Sequence, residues 1–174
     1  MSGNPPLRVP CLIVLVGPPG SGKTTWAGEN GRGAVHVSQD ELIDAITPGG
    51  FEHCYRPVYA AAENAVAVTA LQDGHAVIVD RTNRTRAHRE RWLRVAFDAG
   101  CPAVAVEMNT PPAVCRSRNR RREARRRLSD ERMDRMLAAH QPVAPDEGFH
   151  AVFGGETTLL EILRTLPNSK EAVA

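Results

Sequence analysis

The sequence predicts an α/β fold: a parallel five-stranded sheet flanked by helices. Two observations carry this reading. Short apolar runs alternate along the chain with segments of helical spacing, and repeated β-α order gives a parallel sheet covered on both faces. Between the first run and the first helix stands Gly17-Pro18-Pro19-Gly20-Ser21-Gly22-Lys23-Thr24, the pattern G-x-x-x-x-G-K-[ST] in the strand-loop-helix setting it requires. The 174 residues suit one domain with a real core, expected over residues 11–166 between flexible ends at 1–10 and 167–174.

The elements follow in order. Cys11 to Val16 is apolar throughout, as a strand buried on both faces must be. The helix after the glycine-rich loop stops near Asn30-Gly31-Arg32-Gly33. Ala34 to Val37 is a second strand, and Ser38-Gln39-Asp40-Glu41 caps a helix from about Glu41 that Thr47-Pro48-Gly49-Gly50 breaks. Phe51 to Pro57 reads as loop and Val58 to Leu71 as an alanine-rich helix. Ala76 to Asp80 is the third strand. Thr85 to Ala99 has Trp92, Val95, Ala96 and Ala99 at helical spacing. Ala103 to Met108 is the fourth strand. Pro111-Pro112 opens a long helix that runs into an arginine-dense stretch, and Ser129 restarts a helix to about His140. Gln141 to Gly148 is loop, Ala151 to Phe153 the last strand, and Thr157 to Leu166 the last helix.

The loop names its own chemistry. Glycines let successive backbone N–H groups converge on nucleotide phosphates, and the helix that begins there adds its dipole. Residues Gly17 to Thr25, with Thr25 in the first helical turn, are the expected ATP contacts. Lys23 reaches the β- and γ-phosphates, and the Thr24 hydroxyl is the expected Mg²⁺ ligand. Ligands of such sheets bind beyond the carboxyl ends of the strands, where Asp40 and Asp80 both fall. Asp40 is either the base that accepts a hydroxyl proton or the cap of the following helix. Asp80 holds Mg²⁺ through water, orients a substrate, or braces the Thr82 or Asn83 backbone. Eight arginines (116, 118, 120, 121, 122, 125, 126 and 127) crowd twelve positions with one acid, Glu123. Arg118, Arg122 and Arg126, at i, i+4, i+8, are expected on one helix face, one or two of them closing as a lid over ATP and stabilising charge on the transferring phosphoryl group. The others are read as a solvated face or as a track for a nucleic-acid backbone.

These residues together resemble the polynucleotide 5′-hydroxyl kinases of nucleic-acid end repair. The likeness rests on Gly17–Thr24, Ser38-Gln39-Asp40, Asp80-Arg81-Thr82-Asn83 with Arg89 and Trp92, Arg118-Asn119-Arg120-Arg121-Arg122, and Pro145-Asp146-Glu147-Gly148-Phe149. It implies transfer of the γ-phosphate of ATP to a 5′-OH end of DNA or RNA. By position Asp40 matches the general base, Arg122 the essential lid arginine with Arg118 one turn before it, and Asp80 the aspartate of D-x-T-N. Asp80, Thr82, Asn83 and Arg84 then support the acceptor. Members of the family often carry arginine three residues after the base, contacting the substrate's phosphate, where this chain has Ile43. Arg56, Arg81 and Arg84 are the alternatives for that contact. The same catalytic set equally serves a kinase acting on a nucleoside, sugar or antibiotic hydroxyl. A nucleotide-binding regulator is a third reading, against which Asp40 and Arg122 stand.

A net charge of +2 points to no partner by itself. Cys11, Cys54, Cys101 and Cys115 lack metal-ligand spacing, which implies free thiols in a reducing cytoplasm. No apolar run approaches the length of a membrane span, and no secretory leader is visible.

Overall fold

The computed structural model describes residues 9–167. The flexible ends expected at 1–10 and 167–174 lie outside these residues except for Val9, Pro10 and Pro167; Val9 already packs in the core. Five strands, β1 (Cys11–Val16), β2 (Val35–Ser38), β3 (Ala76–Asp80), β4 (Ala103–Glu107) and β5 (Ala151–Gly154), form one parallel sheet in the order β2-β3-β1-β4-β5. Seven α-helices accompany them among the described residues: α1 (Lys23–Asn30), α2 (Gln39–Ile46), α3 (Arg56–Gln72), α4 (Arg86–Asp98), α5 (Pro112–Arg120), α6 (Asp130–Ala138) and α7 (Leu159–Thr165). The predicted fold class is the observed one.

Successive strand residues point to opposite faces, so β1 serves two cores. Ile13 and Leu15 pack with Trp26 of α1 and Ile162 and Leu163 of α7. Leu12 and Val14 pack with Ala67 and Leu71 of α3 and Trp92 of α4. Two charged networks sit inside this frame. Arg89 is fully buried, donating to Glu147 (Nε to Oε2, 2.7 Å) and to the Asn83 and Gln141 carbonyls, which straps the 141–147 segment to α4. Glu63 of α3, also fully buried, accepts from Arg81 at 2.7 Å and Arg91 at 2.9 Å.

The structure corrects two expectations. The helix from Pro112 does not run through the arginine stretch but ends at Arg120, leaving 121–129 as turns and extended chain. Arg118, Arg122 and Arg126 therefore share no helix face. Like charges four apart disfavour helix, and carboxylates elsewhere offer partners: Arg116 pairs Asp134, Arg120 pairs Asp130, and Arg126 pairs Asp44. The segment read as loop to Pro57 holds a 3₁₀ turn at His53–Tyr55, and α3 starts at Arg56, with proline in its first turn where no N–H is missed. No helix among the described residues is long and apolar enough to cross a membrane. All four cysteines are free.

Candidate active site

The chain order reverses beside β1, and its carboxyl end opens into the phosphate loop at that switch point. Gly22, the N-cap of α1, has φ 105°, a left-handed conformation that glycine adopts without strain. Gly20 is fixed by a close approach: a Cβ there would stand 2.7 Å from the Cys115 carbonyl oxygen of α5. The loop is held from several sides. Gly17 N–H donates to the Thr82 carbonyl at 3.1 Å, Asn83 Nδ2 to the Leu15 carbonyl at 2.8 Å, and Thr110 Oγ1 to the Ser21 carbonyl at 2.7 Å. Asn83 itself is left-handed at φ 41°, a conformation asparagine tolerates better than most side chains.

Lys23, only 7% exposed, donates to the Gly17 and Pro18 carbonyls, each at 2.9 Å. Burial pushes its pKa down from 10.5 to about 8; Asp80 opposes the shift, Arg122 adds to it, and Asp40 also acts on it. Three candidate side chains from three separate segments, Asp40, Asp80 and Arg122, thus act electrostatically on one ammonium group. Asp80, at the buried carboxyl end of β3, stands 3.5 Å (Oδ2) from His36 Nε2. Burial works to raise the Asp80 pKa, but His36, the Thr24 hydroxyl and Lys23 outweigh it and hold the carboxyl below its ordinary value. At 3.5 Å His36 Nε2 is a charge neighbour rather than a hydrogen-bonded partner, and its pKa is raised chiefly by Asp80.

Asp40 lies in the first turn of α2 and is exposed. The cap is Ser38, whose Oγ accepts from Glu41 N–H at 3.4 Å. Asp40 is thereby relieved of the capping role that the sequence leaves open, and Asp80 faces Thr24 and His36 rather than the Thr82 or Asn83 backbone.

Among the lid arginines, 116, 120, 125 and 126 have carboxylate partners. Among the described residues, Arg118, Arg121, Arg122 and Arg127 have none. Arg118 Nη1 donates to the Gly20 carbonyl at 3.1 Å. Of the acceptor-side residues, Thr82 and Asn83 hold the phosphate loop, the Asn83 side chain being only 2% exposed with its residue. Arg81 is bound to Glu63, while Arg84 and Arg56 carry no ion pair among the described residues. Sequence reading missed His36, Thr110 and Asn119. The last is 1% exposed, and its side-chain amide bonds both the N–H and the carbonyl of Leu128 (3.1 and 2.9 Å), joining the two ends of the lid. Asn119 stood inside the quoted R-N-x-x-R pattern, but nothing in a local pattern says that an asparagine reaches nine residues ahead.

The donor set fits the groups expected of the motif. The loop sets a buried cation, Lys23, at the N-terminus of α1 for phosphates, and Thr24 and Asp80 bring oxygen atoms beside it, as Mg²⁺ prefers.

Comparison with known proteins agrees with this architecture. The chain is similar to transcription factor bHLH140 of Arabidopsis thaliana (28% identical over 118 residues, 64% of this chain and 11% of that protein). It is also similar to the bifunctional polynucleotide phosphatase/kinase of Schizosaccharomyces pombe (24% over 110 residues, 62% of this chain and 23% of that protein). It thus spans a small part of the length of either relative. Among solved structures, Kti12 of Chaetomium thermophilum with ADP-AlF3 superposes with a TM-score of 0.64 at 17% identity, covering 94% of this chain and 99% of that one. A gluconokinase of Sinorhizobium meliloti gives 0.56 at 19%, covering 90% and 89%. The APS kinase CysC of Mycobacterium tuberculosis gives 0.58 at 20%, covering 88% and 92%. At such identities the likeness establishes the fold alone, a parallel five-stranded sheet flanked by helices of the P-loop NTPase type. Residues 12–143 match the family model described as AAA domain, and with a phosphate loop built as above the chain belongs to that family.

Proposed function

We propose that this protein is an ATP-dependent kinase that transfers the γ-phosphoryl group to a hydroxyl of a small molecule. The observation that carries this is Asp40: a carboxylate free of capping duty, on the open side of α2, acting on the same ammonium as Asp80 and Arg122. In that reading Lys23 and the loop N–H groups bind the phosphates, Arg118 and Arg122 offset charge on the transferring group, and Asp40 accepts the hydroxyl proton. Thr24 and Asp80 would hold Mg²⁺, which when bound neutralises charge on the β- and γ-phosphates.

A small acceptor is supported by how many of the site-side cations already have carboxylate partners, leaving, among the described residues, Arg121 and Arg127 of the lid, with Arg56 and Arg84, beyond the two lid arginines assigned to the phosphoryl group. Binding along a nucleic-acid backbone needs several free arginines, yet Arg116, Arg120, Arg125 and Arg126 of the lid and Arg81, Arg86 and Arg91 beyond it are paired with carboxylates. The gluconokinase and APS kinase likenesses agree. The polynucleotide 5′-hydroxyl kinase reading keeps one specific support, the collinear motifs around Asp80 and Glu147 together with the yeast phosphatase/kinase relative.

The test is γ-labelled ATP with Mg²⁺, offered in parallel to sugars, sugar acids, nucleosides and a 5′-OH oligonucleotide. Label on a small acceptor is expected. Label on the oligonucleotide alone, with a KM that climbs steeply with salt, selects the polynucleotide reading. Label on none, with or without phosphate release, removes the kinase reading.

A further inference from the structure

Helix α2 starts where β2 ends, so its first turn carries Asp40 at the carboxyl edge of the sheet. Asp44 follows four residues later and shares that face of the helix. It is half-buried in the last turn of α2, where the helix dipole disfavours a carboxylate and no basic residue of the turn offsets it. The offset comes from the lid. Arg126 Nη2 donates to Asp44 Oδ2 across 82 residues of sequence, and Arg125 Nη2 stands 3.8 Å from the same oxygen. Asp44 pushes the Arg126 pKa up, and Asp40 adds to the effect.

The lid is fastened at its near end as well. Arg118 Nη1 donates to the Gly20 carbonyl at 3.1 Å, and Asn119 closes the neck on Leu128. Between these fastenings lies Arg122, half-buried while Arg120, Arg121, Arg125, Arg126 and Arg127 are exposed. Arg122 acts on Lys23, as Asp40 does from α2. The lid thus bridges the phosphate loop and α2, the two elements assigned above to the phosphates and to the base.

We infer that Asp44 is a positioning residue: it anchors the far end of the lid to α2, so that Arg122 is held toward Lys23. The inference rests on the kinase reading for what Arg122 does there, but not for the anchor itself. A single exposed ion pair would hold the segment loosely; two guanidinium groups on one half-buried carboxylate hold it better. Asp44 touches no reacting atom in this account. Its effect passes through Arg125 and Arg126 to the backbone that carries Arg122. Its loss should therefore change turnover more than nucleotide binding, which Lys23 and Arg118 keep.

The experiment measures amide hydrogen exchange of the full-length protein, read by mass on peptides from the lid (121–129) and from α2. Asp44→Asn should quicken lid exchange about fivefold, the worth of a well-made surface ion pair. Exchange in α2 should stay the same or slow, because the substitution also removes a charge from the wrong end of its dipole. Asp44→Arg should quicken the lid at least as much. Combining it with Arg126→Asp should bring exchange back to within about twofold of the unaltered protein. Lid exchange that is unchanged in Asp44→Asn, matched by an equal rise in α2, or not restored by the swap overturns the anchor. With the acceptor that the label assay finds, Asp44→Asn should lower kcat about fivefold while the KM for ATP moves by less than about twofold. A freed lid with unaltered kcat overturns the positioning role. If the lid is freed and the label assay finds no acceptor, the anchor stands and the kinase reading falls.

Discussion

Arg118 Nη1 donates a hydrogen bond to the Gly20 carbonyl across 3.1 Å, although Arg118 is exposed and 98 residues further along the chain. The contact orients the guanidinium over the phosphate loop before any nucleotide needs it. Arg118→Ala should raise the KM for ATP and lower kcat, together about 10²-fold in kcat/KM, by removing a charge aimed at the phosphates. The melting temperature should stay within a degree or two, since one exposed bond adds little to stability. Steady-state kinetics with a thermal melt checks both.

Lys23 makes a prediction about pH. Its folded pKa is about 8 against an ordinary 10.5. Between these values the unfolded chain binds more protons, so the Lys23 contribution to stability rises with pH there and is flat on either side. At neutral pH the buried charge weakens the fold. Lys23→Met should therefore abolish transfer yet melt higher at pH 7, and that advantage should shrink as pH climbs from 8 toward 10.5. Urea unfolding of both proteins at pH 7, 9 and 10.5 measures the gap; a gap that widens refutes the assignment.

Among the described residues neither Arg122 nor Arg127 has a carboxylate partner, and Arg122 acts on Lys23. Arg122→Lys should lose most activity, because a compact ammonium lacks the planar fork. Arg127→Ala should retain at least half. Equal losses would point to a diffuse charge effect.

The Arg89–Glu147 pair carries stability rather than chemistry. Glu147→Ala leaves a fully buried guanidinium without its carboxylate, which costs on the order of 3–5 kcal/mol. Burial works to raise the Glu147 pKa, but Arg89 and the Ala144 N–H outweigh it and hold it below its ordinary value. Its stabilisation is therefore present above the ordinary carboxylate range and lost as pH falls below it. Chemical denaturation at pH 7, 4 and 3 should show the unaltered protein approaching the variant only at the acid end.

Strands, helices and the phosphate loop were legible because each is written locally: unbroken apolar runs, a glycine pattern, a break at Thr47-Pro48-Gly49-Gly50. The convergence of Lys23, Asp40, Asp80 and Arg122 was legible because the parallel topology sends all strand ends to one edge. Two things were not. Whether Ser38 or Asp40 caps α2 depends on which side chain turns inward, and both residue types cap well. The break at Arg120 has no glycine or proline to announce it; beyond it Arg126 is paired with Asp44, 82 residues away, and Asn119 bonds Leu128, contacts that no local pattern spells out.

The two hydrogen bonds between Asn119 and Leu128 make the lid a loop pinched at its neck. Its two ends are already together, so changing the number of residues between them alters closure entropy only slowly, about 0.6 kcal/mol for each doubling. The helices on either side meet through the neck and need not respond. Lid and scaffold are in this sense separable parts: lids of other lengths could be grafted at Asn119 and Leu128, and descendants of this chain could acquire new acceptor preferences by remodelling that loop while leaving the phosphate cradle untouched.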